Sequence, residues 1–510
     1  MIRRSAAWVV FAAALAVCAG SYLHALAPGS AAAPLFGSDA AVPVLMGNDP
    51  RFDLFHAYYF GQDRFGAWPF LAASALGRLL RFAWTPASLH ALQTLWLFSG
   101  VVPAALLGGK RPATGGLAWL AALGLPGEVR GQVSDLGQPY AWQLAALLWA
   151  WWGCRRWTER GGAGRGISAF LPAVLAVWTS TLSLPLLAGL AAIEAVRART
   201  RPFLRGLGRA LLPAAVAGAA ELALRVAYHA FALARYGHPY VTRIHLDVGH
   251  LEANFLAVTR RLLAPDAWPV LLLAASLLAA GTWRGARVAG GPERRDLVAL
   301  ALGLFALAVL PIPVLVLVNH VRANGYNNRY FTPTLAFASG AVWAGGALAA
   351  TRIGCSRLRG AAEALAAAAL ALALFWTRPR WAPDPRFERL SRTAAALAAR
   401  APGSPLVNGY WGSYVFTALL APGKLVSIPA EGDYLRTPFD LAALRRAKTV
   451  VLGEAGPLAA YDGKPPPRII EYGVELRLVL PELYRDGSEA FALYANATEA
   501  RATSRLPVTR

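Results

Sequence analysis

Long apolar segments separated by short arginine-rich loops constrain this chain more than any other feature. Most of these segments approach the ~20 apolar residues that a helix needs to cross a bilayer. The pattern predicts about eleven transmembrane helices, at approximately 8–27, 85–108, 113–127, 139–154, two short spans within 167–197 that meet at a tight turn around Pro185, 209–235, 267–283, 297–318, 330–350 and 361–377. We therefore expect an α-helical polytopic membrane protein.

The basic residues support a membrane location better than a nucleic-acid partner. The net charge is +22, but the arginines fall in alternate loops, as the positive-inside rule expects of cytoplasmic loops near anionic lipid. Four of the 50 basic residues are lysine, which indicates a GC-rich bacterial genome. The three cysteines, Cys18, Cys154 and Cys355, lack metal-ligand spacing, so no disulfide framework or zinc site is predicted.

The first hydrophobic segment follows a basic start and fits either a cleaved signal peptide or a membrane span. It is long for a signal peptide and lacks a clean cleavage site, so we expect an uncleaved helix with its N-terminus in the cytoplasm. The loop at 28–84, which includes an interfacial helix at 66–83, then lies on the outer face of the bacterial inner (plasma) membrane. An odd number of spans also places residues 378–510 outside the cytoplasm.

Residues 378–510 differ in kind from the membrane domain at 1–377. Short apolar stretches at PLVNGYW, KLVSIP and TVVLGE are typical of buried strands, and helical patterns lie between them. This alternation predicts a small α/β domain. It has no glycine-rich phosphate loop. Tyr410 and Trp411 could stack on a sugar or simply pack in the domain core.

Acidic residues in the outer loops are the candidates for chemistry. Asp39 lies shortly after the first span, where it could act as a general base on an acceptor hydroxyl, although it could also be a solvated carboxylate that caps a helix. Asp63 could contribute to the site, pair with Arg64 or cap a turn. Asp135 shares the outer face with Asp39 and could orient substrate or a cation, or cap the next helix.

Two further clusters of polar residues are candidates for a functional role. Glu221, Arg225 and His229 share one helix face, which fits a bundle-stabilising ion pair or a polar path. A dense polar stretch opens a later span, and there Arg329 could hold a phosphate as a bidentate donor. Its other candidate substrate-binding residues are Arg322, Asn328 and Tyr330, and the alternative for all of them is an interfacial anchor.

These features together resemble the GT-C superfold of polytopic glycosyltransferases. The resemblance rests on the outer loop with Asp39 in SDAAVPVLM, on Asp135 in the next outer loop, on the RYFTP element at Arg329, and on the soluble domain after the last span. It implies hexosyl or pentosyl transfer from a polyprenyl-phosphate donor, with Asp39 as the base. Some members bind a divalent cation and others need none; this chain has no acidic pair at Asp39, and no metal ligand is assigned.

The preferred hypothesis is an inverting membrane glycosyltransferase that acts on a lipid, glycan or protein acceptor. In it, Asp39 is the base, Asp63 and Asp135 orient the sugar or a cation, and Arg329 and Arg322 bind the phosphate. A transporter or flippase for a lipid-linked envelope glycan is the competing hypothesis, and a non-catalytic assembly component is a third. The transporter would use the Glu221 face and tolerate loss of Asp39.

Overall fold

The computed structural model describes most of the chain. The described residues are 37–49, 51–60, 63, 65–124, 127–160, 162–198, 203–237, 245–264, 292–350, 385–433, 435–461, 464–487 and 489–497, with a few isolated positions within 11–20 and at 368–369. The predicted spans at 8–27, 267–283 and 361–377 lie outside the described residues except for those isolated positions.

The helices of the membrane part follow one another closely. They are α1 Ser38–Asn48, α2 Trp68–Leu80, α3 Pro86–Ser99, α4 Val101–Leu107, α5 Pro112–Gly124, α6 Gly127–Ser134, α7 Tyr140–Arg160, α8 Ala163–Thr179, α9 Ser183–Ala198, α10 Phe203–Tyr236, α11 Leu251–Leu262, α12 Pro292–Val309, α13 Pro311–Leu317, α14 Asn319–Ala323 and α15 Thr332–Ala350. Short 3-10 turns lie at Leu54–Ala57, Val248–His250 and Asn328–Phe331.

An apolar bundle core holds these helices together. Helix α7 packs against α8, α9 and α3, while α15 packs against α5 and α12. Trp119, Trp151 and Phe337 are almost fully buried in this core. By length and hydropathy, four stretches in the described part could cross a membrane: Pro86–Leu107, Leu204–Tyr236, Arg295–Leu317 and Arg329–Ala350. These four do not confirm the predicted number of about eleven spans.

The structure corrects several predicted boundaries. Two helices do form within 167–197, but they are separated at 180–182, and Pro185 lies in the first turn of α9. Proline is tolerated there because first-turn amides have no helical partner. The predicted loop at 128–135 is largely helix α6, and the span at 139–154 extends to Arg160. The predicted helix at 66–83 is confirmed as α2.

A buried ion cluster, the Glu194 cluster, joins three helices at one end of the bundle. The Glu194 side chain of α9 is 0% exposed, and its Oε1 accepts hydrogen bonds from Arg155 Nη2 at 2.9 Å and from Trp151 Nε1 at 2.7 Å. Its Oε2 pairs with Arg197, whose Nη1 lies 3.2 Å from Asp296 of α12. Arg155 and Arg197 therefore link helices through ion pairs, in addition to contributing to the basic charge between the apolar segments.

The C-terminal part contains a six-stranded sheet. Its elements are α16 Pro385–Arg400, β1 Leu406–Asn408, α17 Tyr410–Ala418, β2 Ser427–Pro429, α18 Leu441–Arg446, β3 Thr449–Gly453, β4 Arg468–Glu471, β5 Val474–Asp486 and β6 Glu489–Asn496, with short 3-10 turns at Pro438–Asp440 and Pro457–Tyr461. The order is β2-β1-β3-β6-β5-β4; the first three strands are parallel and the rest antiparallel. The three predicted strands and the helices between them are confirmed.

Alternate residues of the central strands face two apolar layers. Val450 and Leu452 of β3 pack on one side, while Val451 packs on the other against α16 and Phe416. This period of two is the geometry of a strand covered on both faces. The sheet thereby fixes the loop after β1, from which α17 begins.

Helix α17 packs directly on α1 and so joins the C-terminal domain to the segment before α2. A shared apolar cluster contains Tyr410, Tyr414 and Val415 from α17 together with residues of α1 and of the loop after it. Arg51 also lies over the Phe439 ring, 3.4 Å from its centroid. The C-terminal domain is therefore docked on the loop that carries Asp39.

Candidate active site

Asp39 lies in the first turn of α1, where a negative charge is favoured by the helix dipole. It does not cap the helix: the N-cap is Gly37, with no side-chain capping bond. Pro43 stands four residues later and has no N–H, so it cannot bond the Asp39 carbonyl. The Tyr59 hydroxyl donates to that carbonyl instead. Tyr59 thus takes the place of the helical hydrogen bond that Pro43 cannot make to the Asp39 carbonyl.

The Asp39 carboxylate faces the C-terminal domain. Asp39 Oδ1 accepts a hydrogen bond from the Tyr410 hydroxyl at 2.6 Å. That hydroxyl in turn accepts from Arg436 Nε at 3.3 Å and Nη2 at 3.2 Å. Tyr410 and Arg436 are buried, whereas Asp39 is partly exposed. One carboxylate oxygen of a partly exposed residue is therefore held by the C-terminal domain.

The segment between α6 and α7 approaches Asp39 at Gly137. A Cβ added to Gly137 would lie 2.6 Å from the Asp39 carbonyl carbon and 2.7 Å from its oxygen, so only glycine fits without movement. The Gly137 amide donates to Asp135 Oδ1 at 2.8 Å. Burial raises the pKa of Asp135 to about 6, with a further contribution from the nearby charge of Asp39. The two predicted acids are thus brought into one electrostatic environment.

Arg329 belongs to the same electrostatic environment. Its positive charge acts on Asp135 and lowers the pKa of that carboxyl, against the effect of burial. Arg329 Nη2 donates to Asn324 Oδ1 at 2.7 Å and to the Tyr330 hydroxyl at 2.9 Å. Its buried Nε has no hydrogen-bond partner among the described residues. The Asn328 side chain lies outside what the structure describes.

Arg322 and Asp63 are engaged in ion pairs elsewhere. Arg322 Nε pairs with Asp247 Oδ2 at 2.5 Å. Asp63 Oδ2 lies 3.1 Å from His229 Nε2 and 3.5 Å from Arg225 Nη1 of α10. The roles predicted for Arg322 and Asp63 in substrate binding stay predictions.

The predicted face of α10 is therefore an ion cluster. Arg225 Nη2 lies 2.8 Å from Glu221 Oε1, which is the bundle-stabilising pair considered from the sequence. Through Asp63, that pair also ties the first outer loop to α10.

The donor set for a metal is incomplete in the described part of the chain. No group of three or more His, Cys, Asp or Glu side chains there has the placement to hold an ion. Asp39 Oδ1 is already an acceptor for Tyr410, and Asp135 Oδ1 for its own loop. The described residues therefore do not fit a divalent cation site.

Sequence reasoning missed Arg436 and assigned Tyr410 to sugar stacking or core packing. Tyr410 is 371 residues from Asp39, and no periodicity links positions so far apart. The local signal available was Asn-Gly-Tyr at the end of a parallel strand, where α/β domains present functional groups. The Trp411 side chain lies outside the described residues.

No protein-family model and no curated protein sequence matches the chain. Among solved structures it is similar to ArnT from Cupriavidus metallidurans bound to undecaprenyl phosphate, with 12% identity, a TM-score of 0.53 and coverage of 96% of this chain and 97% of that one. It is also similar to an Archaeoglobus fulgidus oligosaccharyltransferase in complex with Zn and sulfate, with 13% identity, a TM-score of 0.45 and coverage of 86% and 67%.

A third similar structure is the arabinofuranosyltransferase AftD from Mycobacteria, with 17% identity, a TM-score of 0.44 and coverage of 95% and 41%. The likeness to ArnT extends over nearly all of both chains, and it confirms the predicted resemblance to the GT-C superfold. At 12% identity the likeness shows the fold and no more.

Proposed function

We propose that this GT-C-fold chain is a membrane glycosyltransferase that moves a sugar from a polyprenyl-phosphate donor to a lipid, glycan or protein acceptor at the outer face of the inner membrane. The observation that carries the proposal is the convergence of Asp39, Asp135 and Arg329. These residues come from three separate parts of the chain: Gly137, bonded to Asp135, packs against the Asp39 backbone, and Asp39 and Arg329 each act electrostatically on Asp135. A carboxylate can serve as the base for the acceptor hydroxyl, and a guanidinium can bind the phosphate leaving group.

In the proposed reaction, an acceptor hydroxyl oxygen attacks the anomeric carbon while its proton passes to Asp39. The bond from that carbon to the phosphate oxygen breaks, and polyprenyl phosphate leaves with the electron pair. Attack opposite the leaving group inverts the anomeric centre. A positioned base of this kind contributes about 10²–10⁴-fold to the rate.

Arg329 is proposed to bind the donor phosphate and to stabilise the charge that develops on it. Asn324 and Tyr330 hold one of its terminal nitrogens, which orients the planar guanidinium. Its Nε, without a partner among the described residues, is left to donate to a phosphate oxygen. Asp135 is proposed to orient the sugar hydroxyls, and Asn328 remains a further candidate there.

Mass spectrometry of lipids and envelope glycans tests the proposal in three strains: a deletion, the deletion complemented with wild type, and the deletion complemented with Asp39→Asn. Membrane levels of the two proteins are matched by immunoblot. The deletion is expected to lose one sugar from a glycan or glycolipid, and Asp39→Asn is expected not to restore it. The missing mass then distinguishes a hexose from a pentose.

Two other outcomes contradict the proposal. Full restoration by Asp39→Asn would show that Asp39 is not the base. Accumulation of a complete glycan on its carrier lipid, with no sugar missing, would favour transport over transfer. Purified protein assayed with and without EDTA addresses the cation: retained turnover in EDTA is the result expected from the incomplete donor set.

A further inference from the structure

We propose that the C-terminal domain completes the active site, and that Tyr410 and Arg436 are positioning residues that orient Asp39 and keep one of its oxygens free to take the acceptor proton. This inference rests on the proposed function, because it assigns a role to Asp39 as the base. It gives the C-terminal domain a part in the chemistry in addition to any part in holding an acceptor.

The direction of each hydrogen bond follows from the chemistry of Arg436. A guanidinium has donors and no acceptor, so both of its N–H bonds to Tyr410 must end on the hydroxyl oxygen. The Tyr410 proton is then directed to Asp39 Oδ1, 2.6 Å away. Burial raises the pKa of Tyr410, so the hydroxyl keeps that proton over the physiological range. Asp39 Oδ1 is therefore a permanent acceptor.

It follows that the two Asp39 oxygens have different roles. Oδ1 is occupied by Tyr410, so a proton from the acceptor hydroxyl would arrive at Oδ2. The Tyr410 bond fixes the carboxylate plane, and the two Arg436 bonds hold the Tyr410 hydroxyl in place. The partial exposure of Asp39 leaves a direction from which the acceptor can approach.

The backbone around Tyr410 is held on both sides. Its carbonyl accepts from the Ser38 hydroxyl, one residue before Asp39, and its amide donates to Asp433 Oδ2 at 3.0 Å. Gly409 sets the entry to α17: a Cβ there would lie 2.2 Å from the Ala455 carbonyl oxygen. These contacts at the end of strand β1 place the Tyr410 side chain next to Asp39 and restrict its movement, as a positioning role requires.

Tyr410→Phe tests the proposal directly, with Tyr494→Phe as the matched control. Tyr494 is also buried in the C-terminal domain, but its hydroxyl donates to the Pro466 carbonyl at 2.9 Å. The assay measures sugar transfer by purified protein across pH, with folding checked by thermal unfolding. Tyr410→Phe is expected to lower kcat about 10- to 100-fold with little change in KM, since a hydrogen bond to a charged group is lost.

The pH profile supplies a readout that a purely structural role would not change. Tyr410→Phe removes a hydrogen bond to the proposed base. The acid side of its rate profile is therefore expected to differ from that of wild type. Tyr494→Phe is expected to keep the wild-type kcat and the wild-type profile, even if its unfolding temperature falls.

Arg436 variants show whether its effect passes through Tyr410. Arg436→Lys keeps the charge and is expected to retain more activity than Arg436→Gln. The added loss from Arg436→Gln is expected to be smaller in the Tyr410→Phe background than in wild type, because the two residues act in one chain of hydrogen bonds. Fully additive losses would contradict that arrangement.

Failure of this inference is distinct from failure of the proposed function. If Asp39→Asn is inactive while Tyr410→Phe keeps the wild-type kcat and pH profile, the base assignment stands and the positioning role is wrong. If Asp39→Asn transfers sugar at the wild-type rate, the proposed base is wrong whatever Tyr410→Phe does. Equal losses in Tyr410→Phe and Tyr494→Phe, without a pH shift, would overturn the positioning role.

Discussion

The carboxylates of Glu194 and Asp39 both lie near a buried arginine and differ in how many of their hydrogen-bonding positions are filled. At Glu194 both oxygens accept from arginine, one of them also accepts from Trp151, and none of the side chain is exposed. At Asp39 one oxygen accepts from Tyr410, and Arg436 bonds the Tyr410 hydroxyl instead of the carboxylate. Asp39 is also partly exposed.

The difference separates a structural role from a chemical one. A carboxylate with every lone pair engaged can bridge helices but cannot accept a proton without breaking those contacts. A carboxylate held on one side keeps an oxygen available for a substrate. By this criterion, the Glu194 cluster stabilises the bundle, and the Asp39 site is the one that we propose performs the reaction.

The largest expected effect is on stability, from Glu194→Gln. The change leaves the charges of Arg155 and Arg197 without their shared carboxylate, and loss of one partner of a buried pair costs about 3–5 kcal/mol. We expect lower abundance in the membrane and a lower unfolding temperature in detergent. Activity per folded molecule should stay near wild type, whereas Asp39→Asn should give the reverse pattern.

Glu159→Gln is the control for that experiment. Glu159 also pairs with Arg197, but 37% of its side chain is exposed, and exposed pairs contribute roughly 0–1 kcal/mol. Its unfolding temperature should therefore stay close to that of wild type. If Glu194→Gln and Glu159→Gln behave alike, the Glu194 cluster does not hold the bundle together.

The next largest effect is expected on kcat/KM for the donor lipid, from Arg329→Lys. Lysine keeps the charge but loses the planar fork and the bonds to Asn324 and Tyr330. We expect kcat/KM for the donor lipid to fall about 10- to 100-fold. An unchanged kcat/KM would show that Arg329 does not bind the donor phosphate.

Arg322→Lys tests whether Arg322 helps to bind the donor phosphate, as predicted from the sequence. Its guanidinium is paired with Asp247. A fall in kcat/KM like that of Arg329→Lys would support a second phosphate ligand. A near-wild-type value would assign Arg322 to its ion pair.

The sequence predicted much of the fold, because hydropathy and local periodicity determine helices and buried strands. It missed β4, β5 and β6; in β4 and β5, exposed arginines such as Arg468 and Arg477 weaken the apolar pattern. The signal that could have revealed β4 and β5 is the Tyr472–Gly473 turn between them, where both residues have positive φ, as a two-residue type I′ hairpin turn requires.

The candidate site was predicted in part. Asp39, Asp135 and Arg329 could be identified because each stands at the edge of a hydrophobic segment, where a charge is conspicuous. Their partners could not: Asp63 pairs with α10, more than 160 residues away, and Tyr410 reaches Asp39 from the C-terminal domain. Such contacts depend on tertiary packing, which no local pattern encodes.

Gly137→Ala should have a smaller effect, confined to the Asp39 site. The added methyl group would meet the Asp39 backbone at 2.6 Å, so Asp39 or the second loop must shift. Overpacking of this kind costs about 1–3 kcal/mol, and part of it should appear as a lower kcat because the base is displaced. Gly131→Ala, in α6 with nothing within 4 Å of the added Cβ, is the control. Equal kcat values for the two variants would contradict close packing at Asp39.

The smallest expected effect is the pH dependence that Asp135 gives to stability. Burial raises the pKa of Asp135 to about 6 from an ordinary value of 3.8, so the native state binds the proton more tightly than the unfolded state does. The stability that this proton provides is complete below about pH 4 and is lost as pH rises through about 6. Asp135→Asn cannot titrate and should flatten the unfolding temperature of the purified protein between those limits. At Glu194, by contrast, the carboxylate is already neutralised by two arginines. A wild-type slope in Asp135→Asn would show that the pKa of Asp135 is not raised in the folded protein.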